Sequence, residues 1–151
     1  MALDVLLAYL HWLTIMTWVV FLTSTAALAC FEWLNGAVVA RLRLVDRIAA
    51  VAAWAVLASG VARILWGPKG AAWLLGQPLL WAKLGLVALM LAAGWRTTRQ
   101  IARWHADWLA NGQLPAADAV AELRRRVMRV AHVMLLLPLA GVLLSRGVGV
   151  R

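Results

Sequence analysis

Four residues that carry, or can carry, positive charge stand inside apolar stretches of the sequence: His11 in LAYLHWLTIMTW, Arg63 in SGVARILW, Lys83 in LLWAKLGL and His132 in RVAHVMLL. Placing such a group in hydrocarbon costs about 2.5 to 3.5 kcal/mol on insertion scales, so each requires a partner, a water-filled cavity or a ligand. Their neighbours narrow the chemistry. Asp4 is the one carboxylate near His11, so paired-acid hydrolysis and a hard-cation site lack ligands. Ser24 and Ser59 fall near the middle of their runs and Ser145 at the end of the last one, which leaves no serine for a Ser-His-Asp arrangement. The single cysteine, Cys30, excludes an internal disulfide and gives no basis for thiolate zinc or an iron–sulfur cluster. Phosphate-binding loops and dinucleotide fingerprints are absent, since GVGVR at the C-terminus precedes no helix. A haem suits the set better. Its iron takes one neutral imidazole nitrogen, its macrocycle lies against Trp, Leu and Met, and its two propionates meet Arg63, Lys69 or Lys83. The residues alone leave this reading open beside a second one, in which histidine and lysine satisfy each other through water and backbone in a bundle without a cofactor.

The elements that must position these residues are apolar helices. With 65% hydrophobic and 14% charged residues among 151, the chain is too apolar for an ordinary soluble domain and reads as an integral membrane protein. The first apolar run is too long for a secretory signal, follows Asp4 rather than lysines, and is expected to be retained. Spans able to cross about 30 Å of hydrocarbon run from Val5 to Leu34, Ile48 to Trp66, Leu79 to Trp95 and Val127 to Leu144. The third continues to about Trp108, NGQLP makes a turn, and an amphipathic entry starts at Ala116. The expectation is one all-α domain over 1–151, a four-helix transmembrane bundle with helices at about 5–34, 48–66, 79–108 and 118–146.

The net charge of +9 is gathered at the ends of the apolar runs, which marks topology and not nucleic-acid binding. Arg41, Arg43 and Arg47, with Arg96, Arg99, Arg103, Arg124, Arg125, Arg126 and Arg129, give ten basic residues in the first and third connections. Arg63, Lys69, Arg146 and Arg151 give four on the other side, and Lys83 stands inside the third span. The first and third connections are therefore expected to be cytoplasmic and both termini to face outward, the periplasmic side in a bacterium. Trp33, Trp66, Trp73, Trp81, Trp95 and Trp104 fall at or near proposed helix ends, where the amphipathic ring suits the headgroup region. Trp12, Trp18 and Trp54 lie deeper, to pack the bundle or line a cofactor.

On this topology His11 lies roughly 10 Å below the outer surface and Lys83 roughly 6 Å, with Arg63 one turn from the outer end of its helix. His132 enters from the opposite side, leaving a vertical gap to His11 on the order of 10 to 15 Å. Two axial histidines of one haem share one level, so His132 is a second metal ligand only if the last helix is shifted by about two turns. Asp46 is expected to cap a helix and pair with an arginine. Glu32 is expected to pair with a cytoplasmic arginine.

Almost the whole chain resembles a family of small bacterial integral-membrane proteins catalogued as a domain of unknown function. The resemblance rests on YLHWL (Tyr9 to Leu13), Glu32, LRLVDRIAAVAAW from Leu42, SGVARILWGPKG from Ser59 and QPLLWAKLGL from Gln77. The pattern Asp, Gly-x-x-Arg, Lys-Gly, an aromatic pair, Asn-Pro and Phe/Trp-x-x-Lys falls on Asp46, Gly60, Arg63, Lys69, Gly70, Trp73, Pro78, Trp81 and Lys83. Gln77 departs from the usual Asn, and Arg96-Thr97-Thr98 stands where a Pro-Thr pair tends to close the third helix. More distantly, His11 followed by Trp18, and Lys83-Leu84, are similar to the membrane protoporphyrinogen oxidase of bacterial haem synthesis, and copper-resistance membrane domains share a similar first helix. That similarity implies a haem b held by His11.

The expectation is a haem b-binding redox protein of the bacterial cytoplasmic (inner) membrane. His11 is the axial ligand, Arg63, Lys69 and Lys83 meet the propionates, and Trp12, Trp18 and Trp81 surround the ring. Electrons pass between a quinone or porphyrin-like reductant and an acceptor. The alternative is a non-enzymatic membrane subunit or small transporter with a His11–Lys83 polar relay. A homo-oligomer burying the polar layer between two chains is compatible with both.

Overall fold

The computed structural model describes residues 2–68 and 70–145, and Lys69, Arg146 and Arg151 lie outside them. Six helices follow in order: α1 (Ala2–Leu28), α2 (Gly36–Trp66), the short α3 (Ala71–Leu75), α4 (Pro78–Asn111), α5 (Ala117–Met134) and α6 (Leu136–Ser145). No strand occurs among the described residues. Four helical stretches are long and apolar enough to cross a membrane: α1, α2, α4, and α5 continued by α6 as far as Leu143. They form a ring, α1 packing on α2, α2 on α4, α4 on α5 and α6, and α5 back on α1. Large apolar side chains such as Leu13, Met16, Val20, Val51, Leu89 and Leu139 remain exposed on the outside of the ring, as lipid-facing positions must.

The helix boundaries depart from the sequence reading in three places. First, α1 stops at Leu28, six residues before Leu34; Cys30 is extended and Phe31–Trp33 make one 3₁₀ turn. Second, the arginine-bearing segment read as a connection is helical, for α2 starts at Gly36 and not at Ile48. The N-cap is Asn35, whose Oδ1 accepts from the Val38 backbone N–H at 3.0 Å, and not Asp46, which sits well inside the helix. Hydropathy misses these turns because Arg41, Arg43 and Arg47 dilute the average, while Val39 and Leu42, one turn apart, are fully buried. Third, the last span breaks at Leu135, whose N–H bonds back three residues to the His132 carbonyl at 3.1 Å. Pro138 explains the break, since it has no N–H to return to the Met134 carbonyl four residues earlier.

At about 1.5 Å per residue, the 34 residues of α4 reach roughly 51 Å, well beyond a hydrocarbon core of about 30 Å. Its far half packs with the start of α2 and of α5, and the most completely buried side chains of the molecule collect there: Val39, Leu42, Ile101, Val120 and Leu123. Trp104, expected at an interface, belongs to this core. Gly36 approaches the Trp108 indole so closely that a Cβ would collide with it. Arg126 bonds Gln100 Oε1 at 3.0 Å and Glu122 Oε1 at 2.9 Å, tying α5 to α4 on the outside of the same region. Gly112, with φ of 70°, ends α4 by returning its N–H to the Trp108 carbonyl at 2.9 Å. This extension holds the arginine-rich end of the bundle together.

The other end, where α1 begins, is closed by the connection between α2 and α4. The Gln77 side chain donates to the Trp73 carbonyl at 3.3 Å instead of capping α4, and Trp81 Nε1 donates to the Leu75 carbonyl at 2.9 Å. Pro78 occupies the first turn of α4, where a missing N–H costs nothing. Trp33, Trp66 and Trp81 are exposed near helix ends or connections, as interfacial tryptophans would be, whereas Trp95, expected at a helix end, is exposed in the middle of α4 because that helix runs on to Asn111.

Candidate functional site

A cavity of about 420 Å³ opens among α1, α2, α4 and α6 in the half of the bundle where α1 begins. Its polar lining consists of Asp4, His11, Arg63 and Lys83, and its walls include Trp12, Val56, Leu80, Val87, Leu137 and Pro138. The volume lies within the range of about 300 to 1,000 Å³ usual for small-molecule sites. Three helices thus deliver His11, Arg63 and Lys83 to one chamber.

His11 is buried, and its Nδ1 lies 2.8 Å from Ser59 Oγ across the α1–α2 interface. Ser59 is itself 3.2 Å from Thr14 Oγ1 and bonds the Val56 carbonyl, while Thr14 donates to the His11 carbonyl at 2.8 Å. The ring is therefore held by a short hydrogen-bonded chain from two helices. With Nδ1 engaged by Ser59, Nε2 is the nitrogen free for a ligand. Gly60 lies beside the ring: a Cβ there would sit 3.4 Å from His11 Cε1. Small residues at this point bring α2 close to α1.

Lys83 is half-buried and extends toward α6, its Nζ 3.9 Å from where a Cβ on Gly141 would stand. Among the described residues neither Lys83 nor Arg63 has a carboxylate within ion-pair distance; the ion pairs there are Arg43–Asp46 and Arg126–Glu122. Two cations that line an apolar chamber without a carboxylate partner suit an anionic ligand.

Of the remaining residues expected at the site, Trp12 joins the cavity and the other described ones fall elsewhere. Trp12 lines the cavity but is also half-exposed on the outside. Trp18 is buried two turns further along α1 and lines a separate, smaller cavity. Trp81 is exposed on the connection side of α4, outside the lining. His132 is exposed on α5, outside the cavity, with Nδ1 2.6 Å from the Met128 carbonyl of its own helix. No group of three or more His, Cys, Asp or Glu able to hold a metal occurs among the described residues, so any metal here would rest on one protein ligand and its own chelating frame.

Thr14 is a site residue that sequence reading passed over, and Ser59 was weighed there only as a nucleophile and not as a partner of His11. The available signal was depth: Ser59 is two turns from the end of α2, about the level of His11 counted from the start of α1. Glu32, expected to pair with an arginine, instead accepts from Cys30 Sγ and makes no ion pair among the described residues. That bond, with the charge of Glu32, holds the Cys30 thiol above its usual range and lowers the Glu32 carboxyl.

A family model described as a predicted membrane protein (DUF2214) matches residues 3–149. No curated protein and no solved structure matches the chain.

Proposed function

The chain belongs to this family of predicted membrane proteins, and from that premise and the His11 chamber we propose that it binds haem b and works as a redox protein of the bacterial inner membrane. The observation that carries the reading is a buried histidine with one ring nitrogen fixed by Ser59 and the other free, in a largely apolar chamber with two cations that have no carboxylate within ion-pair distance among the described residues. Each part answers one part of the group. His11 would hold the iron through Nε2, Ser59 would set the ring plane and tautomer, and Arg63 and Lys83 would meet the propionates. Lys69 follows Arg63 closely in the chain and remains a third candidate for the propionates. Trp12, Val56, Val87 and Leu137 would cover the macrocycle and exclude water. Haem supplies one-electron chemistry when bound; the protein's residues orient it and set the polarity around it.

The reading places both termini and the chamber on the periplasmic side, with the arginine-rich extension in the cytoplasm. A lipid-soluble quinone or a porphyrin-like reductant suits a chamber within the bundle. The hydrogen-bonded chain His11–Ser59–Thr14 also favours the second reading, a cofactor-free membrane subunit or small transporter with a polar relay.

Haem titrated into the detergent-solubilised chain separates the two. The expected result is a saturable Soret band at one haem per chain, lost in His11→Ala and weakened in Arg63→Gln and Lys83→Gln. Equal haem uptake by wild type and His11→Ala contradicts the site.

A further inference from the structure

A second cavity, of about 110 Å³, lies toward the arginine-rich end and is lined in part by Trp18, Thr25, Asp46, Met90, Thr97 and Thr98. Asp46 is 4% exposed. Its Oδ1 accepts from Thr98 Oγ1 at 3.1 Å, while Oδ2 lies 3.6 Å from Arg43 Nη1. Both Oδ2 and Nη1 are buried without a hydrogen-bond partner among the described residues. A carboxylate oxygen and a guanidinium N–H stripped of water in this way are costly, and a water bonded to the carboxylate from the cavity side would relieve that cost. The cavity on the Asp46 side has room for it, since one water needs only about 10 to 15 Å³. The hydroxyls of Thr25 and Thr97 donate to the carbonyls of Phe21 and Ala93, which leaves their oxygens as acceptors for water in the cavity.

A metal cation is a poor occupant, because Arg43 already stands beside Oδ2. Arg43 is also the ionisable neighbour facing Asp46. From α4 come Thr97 and Thr98, from α1 Thr25, and from α5 only Val127 and Val130 line the cavity. The Arg43 side chain is 28% exposed and so runs from the buried carboxylate to the surface.

The two cavities lie in series. Trp18, Ala53 and Met90 line this one, and Ile15, Val56 and Val87 line the His11 chamber. On α1, α2 and α4 alike the two sets are three residues apart, about 4.5 Å of helix rise. One apolar layer separates them.

We propose that the smaller cavity is a water-filled proton inlet, with Asp46 as the group that takes up and releases the proton. A proton on the water beside Oδ2 passes to that oxygen, leaving neutral water and an uncharged carboxyl, and returns by the same path. The inlet ends one apolar layer short of the His11 chamber, and it stands whether or not that chamber takes a haem.

Hydroxyl-radical footprinting of the full chain in detergent tests the water. Met90 and Met134 are both buried, at 2% and 3% exposure, but only Met90 lines the cavity. Met90 is expected to oxidise several-fold faster than Met134; equal protection of the two means a dry cavity and overturns the inlet. Infrared spectroscopy tests the proton. A carboxyl C=O band that appears on acidification, shifts in D₂O within the mixing time and is missing in Asp46→Asn supports exchange. If Asp46→Asn does not fold, Thr98→Val, which keeps the carboxylate and removes its one hydroxyl donor, is expected to move the same band. Absence of such a band throughout the pH range of the folded protein, or failure to shift in D₂O, overturns the assignment.

Discussion

His11 differs from a histidine that merely packs in a bundle because its Nδ1 is bound to a neighbouring helix while its ring lines a chamber. Outer partners of a ligating histidine are worth about 10- to 100-fold in ligand affinity. Ser59→Ala is therefore expected to weaken haem binding by about that factor while leaving helix content unchanged; unchanged affinity removes Ser59 from the site. A second prediction concerns Cys30. The bond to Glu32 stabilises the protonated thiol, so less thiolate is present at a given pH, and alkylation should rise only at higher pH than for a free cysteine. Glu32→Gln removes the charge and is expected to move the alkylation profile to lower pH; a profile unmoved by the substitution contradicts the contact. His11, Arg63 and Lys83 were legible in the sequence because charge inside apolar runs is rare and expensive. Ser59 and Thr14 were not, since a hydroxyl in a transmembrane helix can satisfy itself on its own backbone and leaves no mark in hydropathy.

At the level of elements, sequence and structure part where charge and burial compete. Hydropathy located the four apolar helices, yet it cut the first three turns from α2, because it averages Arg41, Arg43 and Arg47 with Val39 and Leu42. Period and cap were the better signals there: Asn35 precedes a run whose apolar positions recur at helical spacing. Trp104 misled for a related reason, since tryptophan serves both headgroup and core and only the length of α4 decides which. The α2–α4 contact at Gly36 follows from that extension. Gly36→Ala is expected to destabilise the protein by about 1 to 3 kcal/mol through overpacking against Trp108, measured by thermal unfolding in detergent. Trp108→Ala in the same chain is expected to remove most of that penalty. A neutral Gly36→Ala contradicts the close approach.

The whole molecule divides into a tightly packed polar-ended extension and a looser intramembrane half that contains the chamber. Such a division suits a protein that must hold a ligand among helices while keeping its fold fixed elsewhere. The basic residues concentrate at the extension, so reporter fusions at Gly112 are expected to be cytoplasmic and those at Gly76 external. The opposite pattern would invert the orientation proposed for the chamber. Residue identity and topology together brought four of the expected residues, His11, Trp12, Arg63 and Lys83, into one cavity, but they could not show that Trp18 turns to a different cavity or that Trp81 faces outward. Those facts depend on rotation of each helix about its axis, which side-chain packing decides. A haem at His11 would show itself in the visible spectrum of the protein purified from cells supplied with haem. The expected spectrum has a Soret band that shifts on reduction, is lost in His11→Ala and is unchanged in His132→Ala; a colourless, fully folded wild type would rule the haem out.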